Sequence, residues 1–469
     1  MFLLLGGAAV HRCDKQHRLH PYKKNASLLA AIGKCIDIVL GHIPCYALPV
    51  MSASLKNIVF KRFHSILSEK IEFSNPTFLV GCNGSGKSNL VDAFSFLSEA
   101  TEFPLQTVID RRGGIHSLIN RRPGERLRPK SGGVWRLVSD DGEFEPTLGI
   151  RVEFENLPGI PQNPQRGHFA FELAMLSRYS FKILREQCRL LGQDEAWYDR
   201  REDSLDTNMG FLKSFDVKFL SPSALFLQVV GGIFPFGVVQ QFLRTMSVYS
   251  IEPTKLRNMQ DPDIGSNLRP DGRNATSVLL EIIGGSREIA ARISELLASI
   301  SPGLKRVYAV RQGKQLSLRF TQEWGEGKRL DFDAFSMSDG LLRALGLILA
   351  VHQPHRPSVI VIEEPEASIH PGALGVILDV LRHAARTMQV VVTTHSPDVL
   401  DAKWIQEGNL RMVTLENGVT RVTGLSDFSK NALRDHLMGA GELLRSNSLE
   451  PSAPLFDRLD ARQVTLFDE

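Results

Sequence analysis

The run Gly81-Cys82-Asn83-Gly84-Ser85-Gly86-Lys87-Ser88 constrains this chain more than any other feature, because it satisfies the pattern G-x-x-x-x-G-K-[ST] throughout. The apolar segment Thr77-Phe78-Leu79-Val80 leads straight into it as a buried strand. Residues 89–100 follow with Leu90, Val91, Ala93, Phe94 and Leu97 on one helical side. Strand, glycine loop and helix are the context a phosphate-binding loop requires. Backbone N–H groups and a helix N-terminus there offer positive potential to phosphate oxygens. Lys87 is expected to reach the β- and γ-phosphates of ATP and Ser88 to ligate Mg2+, with Gly81 to Asn89 forming the nucleotide cradle.

Far along the chain, Val359-Ile360-Val361-Ile362-Glu363-Glu364 is an apolar strand that ends in two carboxylates. Burial of the strand would project both acids from its end. Glu363 is expected to hold Mg2+ through water, and Glu364 to polarise the attacking water as general base. The next apolar strand, 389–393, runs into Thr394-His395-Ser396-Pro397, which puts His395 at a strand C-terminus beside the same crevice. Between these motifs, Ser336-Met337-Ser338-Asp339-Gly340 precedes an apolar helix over 338–351, and Ser338 is suited to be its N-cap.

Strands and helices of these lengths imply right-handed crossovers and a parallel sheet covered on both faces. The expected fold is therefore α/β: a P-loop core over 51–100 and 331–425, with a β-rich and helical insertion over 101–330. Strands are expected at 55–63 and 70–73. Within the insertion, 168–176 and 179–184 alternate like a hairpin, and 307–320 suggests another around Gln312-Gly313. Helical patterns cover 225–246 and 276–300, the second broken at Gly284-Gly285. Asn417-Gly418 between 410–415 and 419–425 is a strong hairpin signal. Residues 426–469 are expected to form a helix and tail, and 1–50 a poorly ordered extension, with Met51 as a second candidate start.

Composition adds mainly exclusions. Residues 27–50 are moderately apolar but carry Lys34, Asp37, His42 and two prolines, which is wrong for a membrane span. Cys13, Cys35, Cys45, Cys82 and Cys188 form no C-x-x-C pair and no metal-ligand spacing, as in a reduced cytoplasmic protein. A net charge of +3 is too small to imply nucleic acid, so such a case rests on local clusters. The densest is Arg111, Arg112, Arg121, Arg122, Arg126, Arg128 and Lys130, which suits a DNA or RNA backbone as well as it suits a solvated loop. Arg62 or Phe63 could lie beside an adenine, or simply pack in the sheet. Asp398, Asp401 and Lys403 imitate a nuclease pattern, but the two acids are too close in sequence.

The order of phosphate loop, Ser-Asp-Gly helix, Glu364-Pro365-Glu366 and Thr394-His395-Ser396-Pro397 resembles the RecF/SMC-like and OLD-like AAA ATPases of the ATP-binding-cassette superfamily. The resemblance spans about residues 55–444, including Arg111-Arg112-Gly113-Gly114, Asp271-Gly272-Arg273-Asn274 and Ile369-His370-Pro371. It implies an ATP-binding-cassette head with an antiparallel β subdomain and a helical insertion. It also implies that Ser338, Asp339 and Gly340 form a signature sequence meeting the γ-phosphate of a second subunit's ATP. His395 then becomes a switch histidine, and Glu366 and His370 lie next to the site. OLD-like relatives add a Toprim nuclease domain, for which too little chain remains after His395. The signature lacks the second glycine and the glutamine of transporter cassettes, which argues against a transporter subunit. The expected activity is ATP hydrolysis with ATP-dependent homodimerisation, in DNA repair or phage defence beside a separately encoded effector. The alternative is an ATP-gated protein-interaction switch that touches no nucleic acid.

Overall fold

The computed structural model describes residues 53–122, 124–130, 135–140, 142–158, 166–192, 195–263, 267–325, 327–453 and 465–468. The extension expected over 1–50 lies outside them. Two sheets organise the rest. The first has six strands in the order Ser247–Tyr249, Val359–Glu363, Gln389–Thr394, Thr77–Val80, Leu410–Glu416 and Val419–Thr423. All neighbours run parallel except the last pair, which is the hairpin turning at Asn417-Gly418. Both turn residues have positive φ, as the favoured two-residue hairpin turn demands.

Apolar runs appear in these strands because both faces are covered. Val359, Val361, Val391 and Leu79 point into one core with the helix Lys87–Glu102. Ile360, Ile362, Val390, Val392, Phe78 and Val80 point into a second core. That second core is closed by the helices Asp339–His352, Pro371–Ala384, Ala275–Gly285 and Arg287–Ile300. A strand with no wet face needs no polar alternation.

The other large sheet has seven antiparallel strands, ordered Ser204–Thr207, Ala196–Arg201, Phe181–Leu191, Arg166–Met175, Thr147–Glu155, Ser54–Phe63 and Ile66–Glu72. The segment 101–330 therefore shares both sheets with the rest of the chain. It supplies five strands beside Ser54–Phe63 and an edge strand, Ser247–Tyr249, beside the apolar Val359–Glu363. The second core also receives the three-stranded sheet Leu304–Gln312, Gln315–Trp324 and Lys328–Asp333. The expected helix over 225–246 is two helices, Phe226–Val230 and Phe236–Arg244, because Gly231-Gly232 and Pro235 interrupt it. The pattern over 276–300 also divides, and Ser286 caps the second helix by accepting from Ile289 N–H.

Candidate functional site

The parallel register aligns three strand ends. Glu363 pairs with Thr393, Thr393 with Leu79, and Thr394 with Val80, so Glu364, His395 and Gly81 emerge side by side. This is the crevice beyond the carboxyl ends of parallel strands where ligands of such sheets sit. The loop after Val80 turns tightly. Gly86, at φ 102°, precedes the helix Lys87–Glu102, and no side chain caps that N-terminus, which leaves its N–H groups to an anion. Lys87 Nζ lies in the mouth of the loop and donates to the Gly81 and Cys82 carbonyls at 2.6 and 2.9 Å. Burial lowers its pKa from the usual lysine value, and Glu364 and Glu366 oppose that shift. Ser85 Oγ is buried in the same loop without a protein partner.

The back of the loop is strapped by sequence-distant residues. Thr420 Oγ1 donates to Ser85 O at 3.1 Å and meets Ser65 Oγ at 2.6 Å, while Asn89 Nδ2 donates to Ser65 Oγ at 2.6 Å. Asn89, expected to face the nucleotide, thus belongs to this clasp. A Cβ on Gly86 would lie 1.9 Å from Thr420 Oγ1 in a backbone region L-residues avoid. Gly86→Ala is accordingly expected to weaken nucleotide binding by at least about tenfold, given the roughly 1–3 kcal/mol of such strain. A fluorescent-ATP titration, with circular dichroism as the folding control, measures this; unchanged affinity would contradict it.

Glu364 sits at φ 43°, held there by its N–H donating to Thr393 O at 3.0 Å. Its Oε1 is 3.1 Å from His395 Nδ1, which must be the donor because a carboxylate only accepts. Glu366 lies beneath them. Its Oε1 accepts from Thr394 Oγ1 at 2.7 Å and His395 N–H at 3.4 Å, and its buried Oε2 has no partner. Glu363 has its pKa raised by burial and by the adjacent Glu364, with Ser250 and Arg343 opposing.

The family model described as "AAA domain, putative AbiEii toxin, Type IV TA system" matches residues 77–151 and 256–401. Those segments hold the phosphate loop, Ser338, the Glu363–Glu364 strand end and His395. Over those two segments the chain is similar to an AAA-type P-loop domain. Its two sheets build the expected α/β fold with an antiparallel β subdomain. No curated protein matches it. The solved structures that match at low identity include three SMC heads. A SmcHead bound to the C-winged helix domain of ScpA is 15% identical, with 80% of this chain and 98% of that one covered and a TM-score of 0.46. An SMC head domain from Thermotoga maritima is 16% identical, with 79% and 98% covered and a TM-score of 0.37. A third, the Smc head domain with an extended coiled coil bound to the C-terminal domain of ScpA derived from Pyrococcus furiosus, is 14% identical, with 82% and 99% covered and a TM-score of 0.45.

Ser338 is exposed and caps the helix Asp339–His352 by accepting from Leu341 N–H. Asp339 pairs with Arg257 Nη2 at 2.6 Å, and that guanidinium also donates to Met337 O at 3.0 Å. Gly340 packs against the Ser368 carbonyl. One turn along the same helix lies Arg343, which motif reasoning passed over. Its Nη2 donates to the carbonyls of Glu363 and Glu364 at 3.4 and 3.2 Å, while Nε is buried without a partner. Burial lowers its pKa, against the opposing pull of Glu366, Glu364 and Glu363. Its position three residues after Gly340 was the available signal, but only the fold aims it at a strand end. Since a hydrogen bond from a charged group contributes about 1.5–3 kcal/mol, Arg343→Lys is expected to lower turnover roughly tenfold. Nucleotide affinity should change little. Unaltered kcat in a phosphate-release assay would remove Arg343 from this role.

Several weaker candidates have structural duties. Arg62 is buried and holds Glu125 through two bonds of 2.7 and 3.0 Å, and Phe63 lies wholly in the core, so neither faces an adenine. Arg112 is paired with Asp92 and Glu99, and Lys130 with Glu143, leaving Arg111, Arg121, Arg126 and Arg128 exposed in the basic cluster. Asp398 and Asp401 both bind Arg445 at 2.6 Å, which accounts for the nuclease-like pattern. His370 caps the helix Pro371–Ala384, accepting from Gly372 N–H at 3.1 Å. Among the described residues no helix is long and apolar enough to cross a membrane.

Proposed function

We propose that this chain is an ATPase switch that dimerises on ATP and separates on hydrolysis, working in phage defence or DNA repair with a separately encoded effector. One observation carries the reading. Ser338, Asp339 and Gly340 are held by Leu341, Arg257 and Ser368, and among the described residues they make no hydrogen bond to Gly81–Ser88. The exposed serine and the phosphate loop of one chain are then complementary halves, each completed by a second copy.

The residues fit a magnesium nucleotide. The buried, unpartnered Ser85 Oγ and the uncapped helix N-terminus suit phosphate oxygens, and Lys87 supplies a charge inside the loop. Ser88 and Glu363 would hold Mg2+, which when bound neutralises phosphate charge. Glu364 takes the proton of the attacking water, and His395, donating to its Oε1, orients it and senses the γ-phosphate. Glu366 fixes the His395 backbone.

The description of the matching family, naming a putative AbiEii toxin, favours defence over repair. A second reading, a protein-interaction switch without nucleic acid, draws support from the internal pairing of Arg112 and Lys130. Turnover measured with and without duplex DNA separates the two. DNA stimulation that collapses between about 50 and 200 mM salt supports the first, because released counterions drive such binding. Equal turnover in both conditions supports the second, and a monomer at saturating ATP by light scattering refutes the dimer in either.

A further inference from the structure

A second built site lies away from the nucleotide crevice, on a face of the seven-stranded sheet. The described segment 465–468 lies across it. Leu466 and Phe467 are 3% and 9% exposed and form a small core with Val59 and Ala170. Gly149 makes room for the leucine, since a Cβ there would stand 2.2 Å from Leu466 Cδ1. The Arg185 guanidinium lies 4.6 Å above the Phe467 ring, a cation–π arrangement.

The polar contacts are as particular as the apolar ones. Arg151 Nη1 donates to Leu466 O at 3.1 Å and to Asp468 Oδ1 at 2.7 Å. Asp468 N–H donates to Gln187 Oε1 at 3.0 Å, while Gln187 Nε2 and Arg185 Nη2 donate to Asp468 O at 3.1 and 3.0 Å. His168 Nδ1 and Arg189 Nη1 lie 3.5 and 3.9 Å from Asp468 Oδ2. His168 and Gln187 are themselves 2% exposed and bonded to each other at 2.8 Å, so part of this surface is fixed by the sheet. Buried polar side chains aimed at a ligand are satisfied by few sequences. Leucine, aromatic and carboxylate are each met by a different feature, and backbone bonds set the register between them.

We infer that this face is a peptide-recognition site for a Leu-Phe-Asp sequence, and that its ligand is the chain's own Leu466-Phe467-Asp468 bound in cis. The cavity of about 460 Å³ that Asp468 also lines leaves room for the peptide to continue. A tethered ligand excludes a free one through its high local concentration. The same peptide in trans therefore binds only when the resident segment is released.

The probe is a fluorescein-labelled Thr-Leu-Phe-Asp-Glu peptide, titrated against full-length chain by fluorescence anisotropy. Phe467→Ala with Asp468→Lys vacates the site, and this double variant is expected to bind the peptide at least about tenfold more tightly than the unaltered chain. Adding Arg151→Glu, or separately Gly149→Val to fill the leucine space, should abolish that binding. Circular dichroism and retained ATP binding verify the fold of each variant. Equal binding to the unaltered and vacated chains, or none to a folded vacated chain, overturns the inference. An ATP-independent dimer that the double variant dissolves would overturn the cis assignment and put the segment on a second copy.

Discussion

Replacing Glu364 with Gln should lower ATP turnover by about 10²–10⁴-fold, the usual contribution of a positioned general base. It should also leave a stable ATP-bound dimer. The amide is nearly isosteric, so the left-handed backbone at Glu364 and its anchoring to Thr393 and Arg343 are retained. What is lost is the proton acceptor, and with it the charge facing His395 at 3.1 Å. Binding and hydrolysis should then separate cleanly. Phosphate release measures the first effect, and light scattering with and without ATP measures the second. Turnover within about threefold of the unaltered chain would show that another group takes the proton, Glu366 being the next carboxylate in line.

The second large effect is expected in the antiparallel sheet. Glu186 is wholly buried and accepts from Tyr198 OH at 2.8 Å and from the N–H groups of Phe226 and Leu227 at 2.6 and 2.8 Å. Arg200, 2% exposed, stands 3.7 Å from it and donates to the carbonyls of Ala224 and Ser221. Glu186→Ala strands a buried guanidinium and three donors together. Breaking a buried pair in this way typically costs about 3–5 kcal/mol, a large part of a domain's total stability. Glu186→Gln keeps an acceptor for the helix N–H groups and should cost less. Urea unfolding of the two variants measures the difference, and a Glu186→Ala loss below about 1 kcal/mol would show that water enters and solvates Arg200. The carboxylate joins strand Phe181–Leu191 to the helix Phe226–Val230, so the cost falls on the junction of the β and helical parts of the 101–330 segment.

The motifs of the candidate site were legible because each is contiguous and its physics is local. A glycine loop before a helix, acids after an apolar run, and a histidine after another apolar run can be read without knowing what lies beside them. Helix breaks were partly legible for the same reason. Gly284-Gly285 foretells the end of Ala275–Gly285, whereas the apolar pattern over 225–246 runs on through Gly231-Gly232 and Pro235, where the helix breaks. Within the basic cluster, the pairing of Arg112 with Asp92 and Glu99 is invisible in a linear run of charge. His370, expected beside the nucleotide, is a helix cap, and the sequence pattern His-Pro at a helix start fits both roles.

By itself the sequence determined the phosphate loop, the carboxylate pair, the histidine and the kind of sheet that presents them, since these follow from near-neighbour spacing and buried apolar runs. Tertiary structure alone decided how they come together. Parallel register brings Glu364, His395 and Gly81 to one edge across more than three hundred residues of chain. It sets Arg343 on the carbonyls of Glu363 and Glu364, closes Ser65, Asn89 and Thr420 behind the loop, and seats Leu466-Phe467-Asp468 on Gly149, Arg151 and Arg185. The physical reason is the same in each case. A hydrogen bond or an ion pair acts over a few ångströms in space, and only the folded chain says which distant residues come within that reach.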